Sequence, residues 1–267
     1  MLIAQISDIH IVEPGRKTFG VAPMEDNLAQ VINHINQLNP KPDVVLITGD
    51  ITDKGSMVEA ENAERLLDAL DSPYFIIPGN HDDRETIWAK FAGTACPSRA
   101  GDFISYVVEG SEIRLIGVDS TIANASGGEL CDVRLAWLDD RLSERPHQPT
   151  VIFMHHPPVK CGVLESDADG FIGADRLAEI VEKYSCIERI LCGHIHLPTH
   201  SRFHGTIVST APSIGIRLGL DLTMTKESEF YLSAPGYQLH HWTKYKNLIT
   251  HTVHLNGDDG PYAFEEH

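Results

Sequence analysis

Asp8-x-His10, Gly49-Asp50, Gly79-Asn80-His81-Asp82, His155 and Gly193-His194-x-His196 occur in that order along the chain, each after a short apolar run. Carboxylate oxygen, carboxamide oxygen and imidazole nitrogen together suit borderline divalent ions such as Zn²⁺, Mn²⁺ and Fe²⁺, and soft thiolates are missing from the set. Asp8, His10, Asp50, Asn80, His155, His194 and His196 are therefore the candidate ligands. A carboxylate can bridge two ions, and the glycine before Asp50 lets the backbone approach closely, which makes Asp50 the expected bridge. Two ions held roughly 3.5 to 4 Å apart would clamp a phosphoryl group, lower the pKa of a shared water and stabilise the attacking and leaving oxygens. The chemistry indicated is hydrolysis of a phosphate ester.

Taken singly, a DxH or an HxH fragment is common by chance and carries no weight. Their joint occurrence, in order and always after an apolar run, is hard to explain as solvated loops. In Asp8-Ile9-His10 and His194-Ile195-His196 the polar side chains alternate across one residue, so an extended backbone would point both the same way and let the isoleucines pack opposite. By the same rule His156, next to a candidate ligand, is expected to point away. Asp53 is a candidate anchor for a ligand loop or else a surface turn. Arg16, Phe19 and Arg217 fall in rim stretches and read as solvated loop. His34, His147, His240, His241, His251 and His254 lack a comparable context and read as surface or strand positions.

The elements that must position these residues follow from periodicity. Apolar runs at 2–6, 44–47, 74–77, 113–118, 151–154 and 189–191 suit buried strands. Leu28, Val31, Ile32, Ile35 and Leu38 recur at helical spacing, and further helices are expected near 132–142 and 174–184. Ser56 and Glu59 fit a capping box opening a helix with Leu66, Leu67 and Leu70 on one stripe. Strand and helix alternate through the first half, as parallel βαβ units do, and residues 237–243 and 247–255 read as an antiparallel hairpin. Each candidate cluster thus sits at the C-terminal end of a strand, where open α/β sheets place functional loops. The sum is an α/β fold of two packed sheets flanked by helices. Residues 11–24, 157–173 and 211–236 are irregular and are candidate rims of a pocket.

A chain of 267 residues without an internal repeat or a linker-like tract reads as one domain, 1–267. Thirty-eight acidic against 21 basic residues give a formal charge of −17, which repels long polyanions and argues against a stable nucleic-acid complex. No apolar run is long enough to span a membrane, the N-terminus lacks signal-peptide features, and five cysteines without a CxxC pair read as reduced thiols, so a cytoplasmic protein is expected.

The blocks DxH, GDxxD, GNHD, a lone His and GHxH resemble those of the calcineurin-like metallophosphoesterase superfamily, over residues 2 to about 210. That resemblance implies a four-layer αββα sandwich of two mixed β-sheets and a dinuclear metal centre. It assigns Asp8, His10, Asp50 and His196 to one ion, and Asp50, Asn80, His155 and His194 to the other. The native pair could be Mn, Fe, Zn or Co. His81 resembles the histidine that contacts the phosphate and protonates the leaving oxygen, with support of the metal ligands as its alternative. Asp50, Asn80 and His81 are thus the catalytic candidates.

Residues 49–55, GDITDKG, depart from the GDxVDRG form of protein serine/threonine phosphatases. IPGNHDD, HHPP and CGHIH are instead similar to bacterial class III cyclic-nucleotide and glycerophosphodiester phosphodiesterases, which implies small phosphodiesters as substrates. A phosphomonoesterase or nuclease of the same superfamily is the first alternative, and a non-catalytic scaffold that keeps the fold is the second. The resemblance also implies a homo-oligomer, a dimer or larger, assembled through a C-terminal segment around 211–267.

Overall fold

The computed structural model describes residues 1–226 and 229–255. Its first half runs β1 (Leu2–Ile6), α1 (Met24–Gln37), β2 (Val44–Thr48), α2 (Met57–Leu67), β3 (Tyr74–Ile77) and α3 (Arg84–Phe91). Then follow β4 (Tyr106–Val108), β5 (Arg114–Gly117), β6 (Thr121–Ile122), β7 (Ala125–Glu129), α4 (Asp132–Glu144) and β8 (Thr150–Phe153). Next come α5 (Leu164–Asp169), β9 (Phe171–Ile172), α6 (Ala174–Lys183), β10 (Ile187–Cys192), β11 (Thr199–Phe203) and β12 (Thr206–Thr210). The chain closes with β13 (Ile216–Leu218), β14 (Phe230–Leu232), β15 (Gly236–Trp242) and β16 (Leu248–His254).

Two mixed sheets form the body. One has the order β16-β15-β1-β2-β3, with β1, β2 and β3 parallel and β15 antiparallel to both of its neighbours. The other has the order β11-β12-β10-β8-β5-β4, parallel through its four central strands and antiparallel at both edges. The central strands are uniformly apolar because both faces are covered: all of β2 (VVLIT) and all of β8 (TVIF) are buried. One continuous core joins the sheets. Helices α1, α2 and α3 pack together, as do α4 and α6, so the α/β sandwich is as expected.

Between the sheets, Gln5 acts as a polar rivet. Its side-chain amide donates to Thr48 Oγ1 and to the Cys192 carbonyl, both at 2.9 Å, and its Oε1 lies 3.0 Å from His240 Nε2. A buried amide so fully paired fixes the lateral register of β1, β2 and β10. At the ends that matter Ile6 lies opposite Ile47 and Thr48 opposite Ile77, so the loops after β1, β2 and β3 leave the sheet side by side.

The predicted capping box is present, with Ser56 Oγ accepting from the Glu59 amide and the Glu59 carboxylate accepting from the Ser56 amide. Ser56→Ala should cost about 1 kcal/mol of stability, read from chemical denaturation, with no change in catalysis. Unforeseen elements include α3, the short β4 and β6, the glycine-containing β7 (ASGGE), the β11–β12 pair, and elements inside the irregular stretches such as β13 and β14. Within 211–267, β15 and β16 are integral to the first sheet, while β13 and β14 form a separate hairpin. The remainder of that stretch, 227–228 and 256–267, lies outside the described residues.

Candidate metal centre

Five strand ends bring the candidates together: Asp8 and His10 after β1, Asp50 after β2, Asn80 and His81 after β3, His155 after β8, His194 and His196 after β10. Asp8, His10, Asp50 and His196 are all buried and offer ligand atoms within 4.8 Å of one another. On the other side, the side-chain oxygen of Asn80 lies 3.0 Å from both His155 Nε2 and His194 Nδ1. Asp50 faces both groups, with Oδ2 3.6 Å from His10 Nε2 and Oδ1 3.4 Å from His155 Nε2.

The geometry is not that of extended strands. Asp8, His10, Asp50, His194 and His196 have φ of 53°, 41°, 50°, 72° and 54°, in the left-handed region. Side chains two apart therefore converge by reversing turns, and the expectation of strand alternation in these segments does not hold. Ile9 and Ile195 are nevertheless fully buried. Such backbone persists only where its surroundings over-determine it. Here the Asp8 carboxylate accepts from the His194 amide at 2.9 Å, Ser213 Oγ donates to the Asp8 carbonyl at 2.8 Å, and the Asp50 carboxylate accepts from the His81 amide at 2.9 Å.

Close approach explains the glycines. A Cβ on Gly79 would lie 2.2 Å from Asp50 Oδ1, and one on Gly193 would lie 2.0 Å from Ser7 Oγ and 2.7 Å from Asp8 Oδ2. Gly79→Ala is expected to displace the Asp50 carboxylate and lower metal content about tenfold or more, on the scale of lost ligand support, as measured by elemental analysis of the folded protein.

Tautomers follow from the carbonyls, which can only accept. His155 Nδ1–H donates to the Thr48 carbonyl at 2.8 Å and His196 Nδ1–H to the Ile216 carbonyl at 3.1 Å. In the neutral rings both Nε2 atoms are then lone pairs. His155 Nε2 faces Asn80 Oδ1 and Asp50 Oδ1, and His196 Nε2 faces Asp8 Oδ1 at 3.5 Å and His10 Nε2 at 3.1 Å. Acceptors turned on acceptors require a positive charge between them, either a proton or a cation. The buried His10 Nδ1 and Asp53 Oδ1 lack a hydrogen-bond partner and lie 3.7 Å apart. The donor set fits divalent cations.

Charge on the ring nitrogens tells the same story. Burial alone would lower His155, but Asp50 lifts it to about 9. His10 is raised likewise, against burial, by Asp53 and Asp50. Burial and the neighbouring His155 push His194 down to about 3, and burial pushes His196 down to about 4 against the pull of Asp8. Despite burial, the Asp50 carboxyl is held well below the usual range by His155 and His10. Asp50 is thus ionised, and cation uptake must expel protons from its partners.

Sequence reasoning missed three features. Asp82 anchors the β2 and β3 loops to each other: its carboxylate accepts from the amides of Gly79, Ile51 and Thr52 and from the Thr52 hydroxyl, at 2.7 to 3.1 Å. Its place beside Asn80-His81 was the available signal. The backbone carbonyls of Thr48 and Ile216 have no sequence signature at all. The third is His156, which does not point away. β8 has already ended at Phe153, so alternation no longer applies, and the His156 ring lies against those of His155 and His194, each centroid 4.7 Å away.

His81 lines a cleft of about 450 Å³ together with Lys54, Arg84 and Asn124. Its Nδ1–H donates to the Asp53 carbonyl at 2.8 Å, which leaves Nε2 free. Asp53 itself is buried and so not a surface turn, and its carboxylate faces His10 Nδ1 at 3.7 Å instead of anchoring the loop by a hydrogen bond to Oδ1. A second cleft, about 210 Å³, is lined by His156 and His194 together with Pro157 and Phe171 from the predicted rim 157–173. Phe19, half exposed, stacks near Phe230 at 5.3 Å, joining the rims 11–24 and 211–236. Arg16 pairs with Glu13, and Arg217 lies over the Tyr231 ring.

Comparison with known proteins extends this picture to the whole chain. It is 38% identical over 265 residues, 99% of its length and 97% of the other, to a probable glycerophosphodiester phosphodiesterase of Arcobacter nitrofigilis. A 3',5'-cyclic-nucleotide phosphodiesterase of Nostoc is 29% identical over 79% of this chain and 77% of its own. Among solved structures, a dimetal phosphatase from Danio rerio superposes with a TM-score of 0.67 at 14% identity, covering 95% of this chain and 98% of the other, a likeness of fold. Residues 1–198, which hold every one of the candidate ligands, match the family described as calcineurin-like phosphoesterase, and with the relative from Arcobacter aligned end to end, the chain belongs to that family.

Proposed function

We propose that the chain is a metal-dependent phosphodiesterase acting on small phosphodiesters, glycerophosphodiesters or cyclic nucleotides among them. The observation that carries this reading is the facing of buried acceptors around Asp50, five strand ends supplying oxygen and nitrogen donors to one point. Two divalent cations, Mn, Fe, Zn or Co, held by Asp8, His10, Asp50 and His196 and by Asp50, Asn80, His155 and His194, would supply an activated water and a positive field. Asp50 holds the two sets together. Asn80 orients its side-chain oxygen between His155 and His194. His81 lines the large cleft, where its imidazolium form, with Nδ1–H held by the Asp53 carbonyl, would contact the phosphate through Nε2–H and give that proton to the departing alcohol, ending as the neutral ring.

A small diester suits the two clefts, which meet at the Asn80–His194 pair and give each ester arm a place. The names of the relatives support the same substrate class. A net charge of −17 disfavours long polyanions. Five free cysteines support a reducing, cytoplasmic setting, and no helix among the described residues is long and apolar enough to cross a membrane. Exposed Leu220, Leu222, Phe230, Tyr231 and Leu232 around β13 and β14 support self-association into a homo-oligomer.

The Mn²⁺-loaded protein is expected to hydrolyse bis(p-nitrophenyl) phosphate faster than p-nitrophenyl phosphate. Faster turnover of the monoester would replace this reading by a phosphomonoesterase.

A further inference from the structure

His156 is buried to 1% exposure, yet it belongs to neither set of candidate ligands. Both ring nitrogens are already engaged. Nε2 lies 3.1 Å from the Ser126 carbonyl, which can only accept, so Nε2 carries the proton. Nδ1 is then the acceptor and takes the hydroxyl proton of Ser120 at 2.8 Å, while the same Ser120 oxygen accepts from the His156 amide at 3.1 Å. A neutral imidazole with a committed donor and a committed acceptor has no lone pair to offer a cation.

What the ring does offer is a wall. It meets His155 edge-on, interplanar angle 87°, and His194 at 52°, with both centroids 4.7 Å away. Those two histidines each turn a ring nitrogen to the Asn80 oxygen, both at 3.0 Å. The His156 plane is in turn fixed from outside the centre by the turn after β5 and by the β6–β7 hairpin. Gly128 in β7 is part of the device, since a Cβ there would lie 2.5 Å from His156 Cβ. On the other side His81 meets His10 edge-on at 4.6 Å but opens onto the large cleft, and among the described residues no third ring packs against both His10 and His196 as His156 does against His155 and His194; Phe19 is 6.2 Å from His10 and half exposed.

We propose that His156 is a positioning residue for one cation only, holding the His155 and His194 rings in the orientation that the Asn80-side ion requires. This rests on the reading that the Asn80 side holds a cation. Supporting groups of this kind change metal affinity by about 10- to 100-fold when removed. The loss should fall on one ion and leave the other within about threefold.

The test is Mn²⁺ titration of the chelated full-length protein, wild type and variants, against a competing indicator, with the melting curve of the metal-free form followed in parallel. His156→Ala should weaken the second ion by at least tenfold. His156→Gln, whose amide can still donate to Ser126 and accept from Ser120, should recover most of that loss, and Ser120→Ala should give a smaller shift of the same sign. Equal losses in the Ala and Gln variants would make His156 a ligand and overturn the inference. Unchanged affinities in the Ala variant, or equal weakening of both ions, would overturn it too. A wild-type chain that takes up no second Mn²⁺ would overturn the two-cation reading itself, a result separable from all of these because it needs no variant.

Discussion

Asp50→Ala is expected to abolish measurable diester turnover, a fall of ~10³-fold or more, and to take most of the bound metal with it. The expected loss exceeds the ~10- to 100-fold that follows removal of a supporting hydrogen bond, because Asp50 is the carboxylate that approaches both His10 and His155. Without it, each half of the centre keeps nitrogen donors but loses the charge they share. Asp50→Asn separates the two contributions. It can still accept from the His81 amide, so the loop should stay in place while the charge disappears. Elemental analysis and the bis(p-nitrophenyl) phosphate assay, run on the same preparations, decide the matter. Normal turnover and normal metal in Asp50→Ala would refute the proposed bridge.

His81→Ala should behave oppositely: metal content unchanged, with the rate lower by about 10²- to 10⁴-fold, the usual range for a lost general acid. His81 reaches the centre through its main chain, by the amide that donates to Asp50, and that link survives the substitution. Only the ring, held by the Asp53 carbonyl and turned to the large cleft, is removed. If the ring gives its proton to the leaving oxygen, the deficit should be larger for an alkyl alcohol than for p-nitrophenolate, which departs without one. A uniform deficit across leaving groups, accompanied by loss of metal, would instead make His81 a support for His10, whose ring it meets edge-on at 4.6 Å.

Much of this was readable from the chain alone. The apolar runs ending at Ile6 and Ile47 are continuous because β1 and β2 are central strands covered on both faces, and the run ending at Ile77, on the edge strand β3, is buried at its C-terminal half, so the strands and the functional ends of the first sheet could be placed. Residue chemistry selected the candidate ligands for the same reason: donors of the right kind recur after every such run. What stayed hidden depends on contacts made by atoms common to all residues. Thr48 and Ile216 act through carbonyls, and no side-chain pattern announces them. His156 was misjudged because a rule of extended backbone was applied where the strand had already ended. The short β13–β14 hairpin stayed hidden because three-residue strands flanked by glycine and serine carry almost no periodicity.

Positive φ at Asp8, His10, Asp50, His194 and His196 sets a second filter on what evolution or design can place there. Aspartate, asparagine and histidine are among the few residues beyond glycine that enter this backbone region with ease. The demands of coordination and of chain curvature therefore select the same short alphabet at these positions. An exchange such as Asp8→Glu, harmless on paper because it preserves a carboxylate, would test the curvature as much as the chemistry.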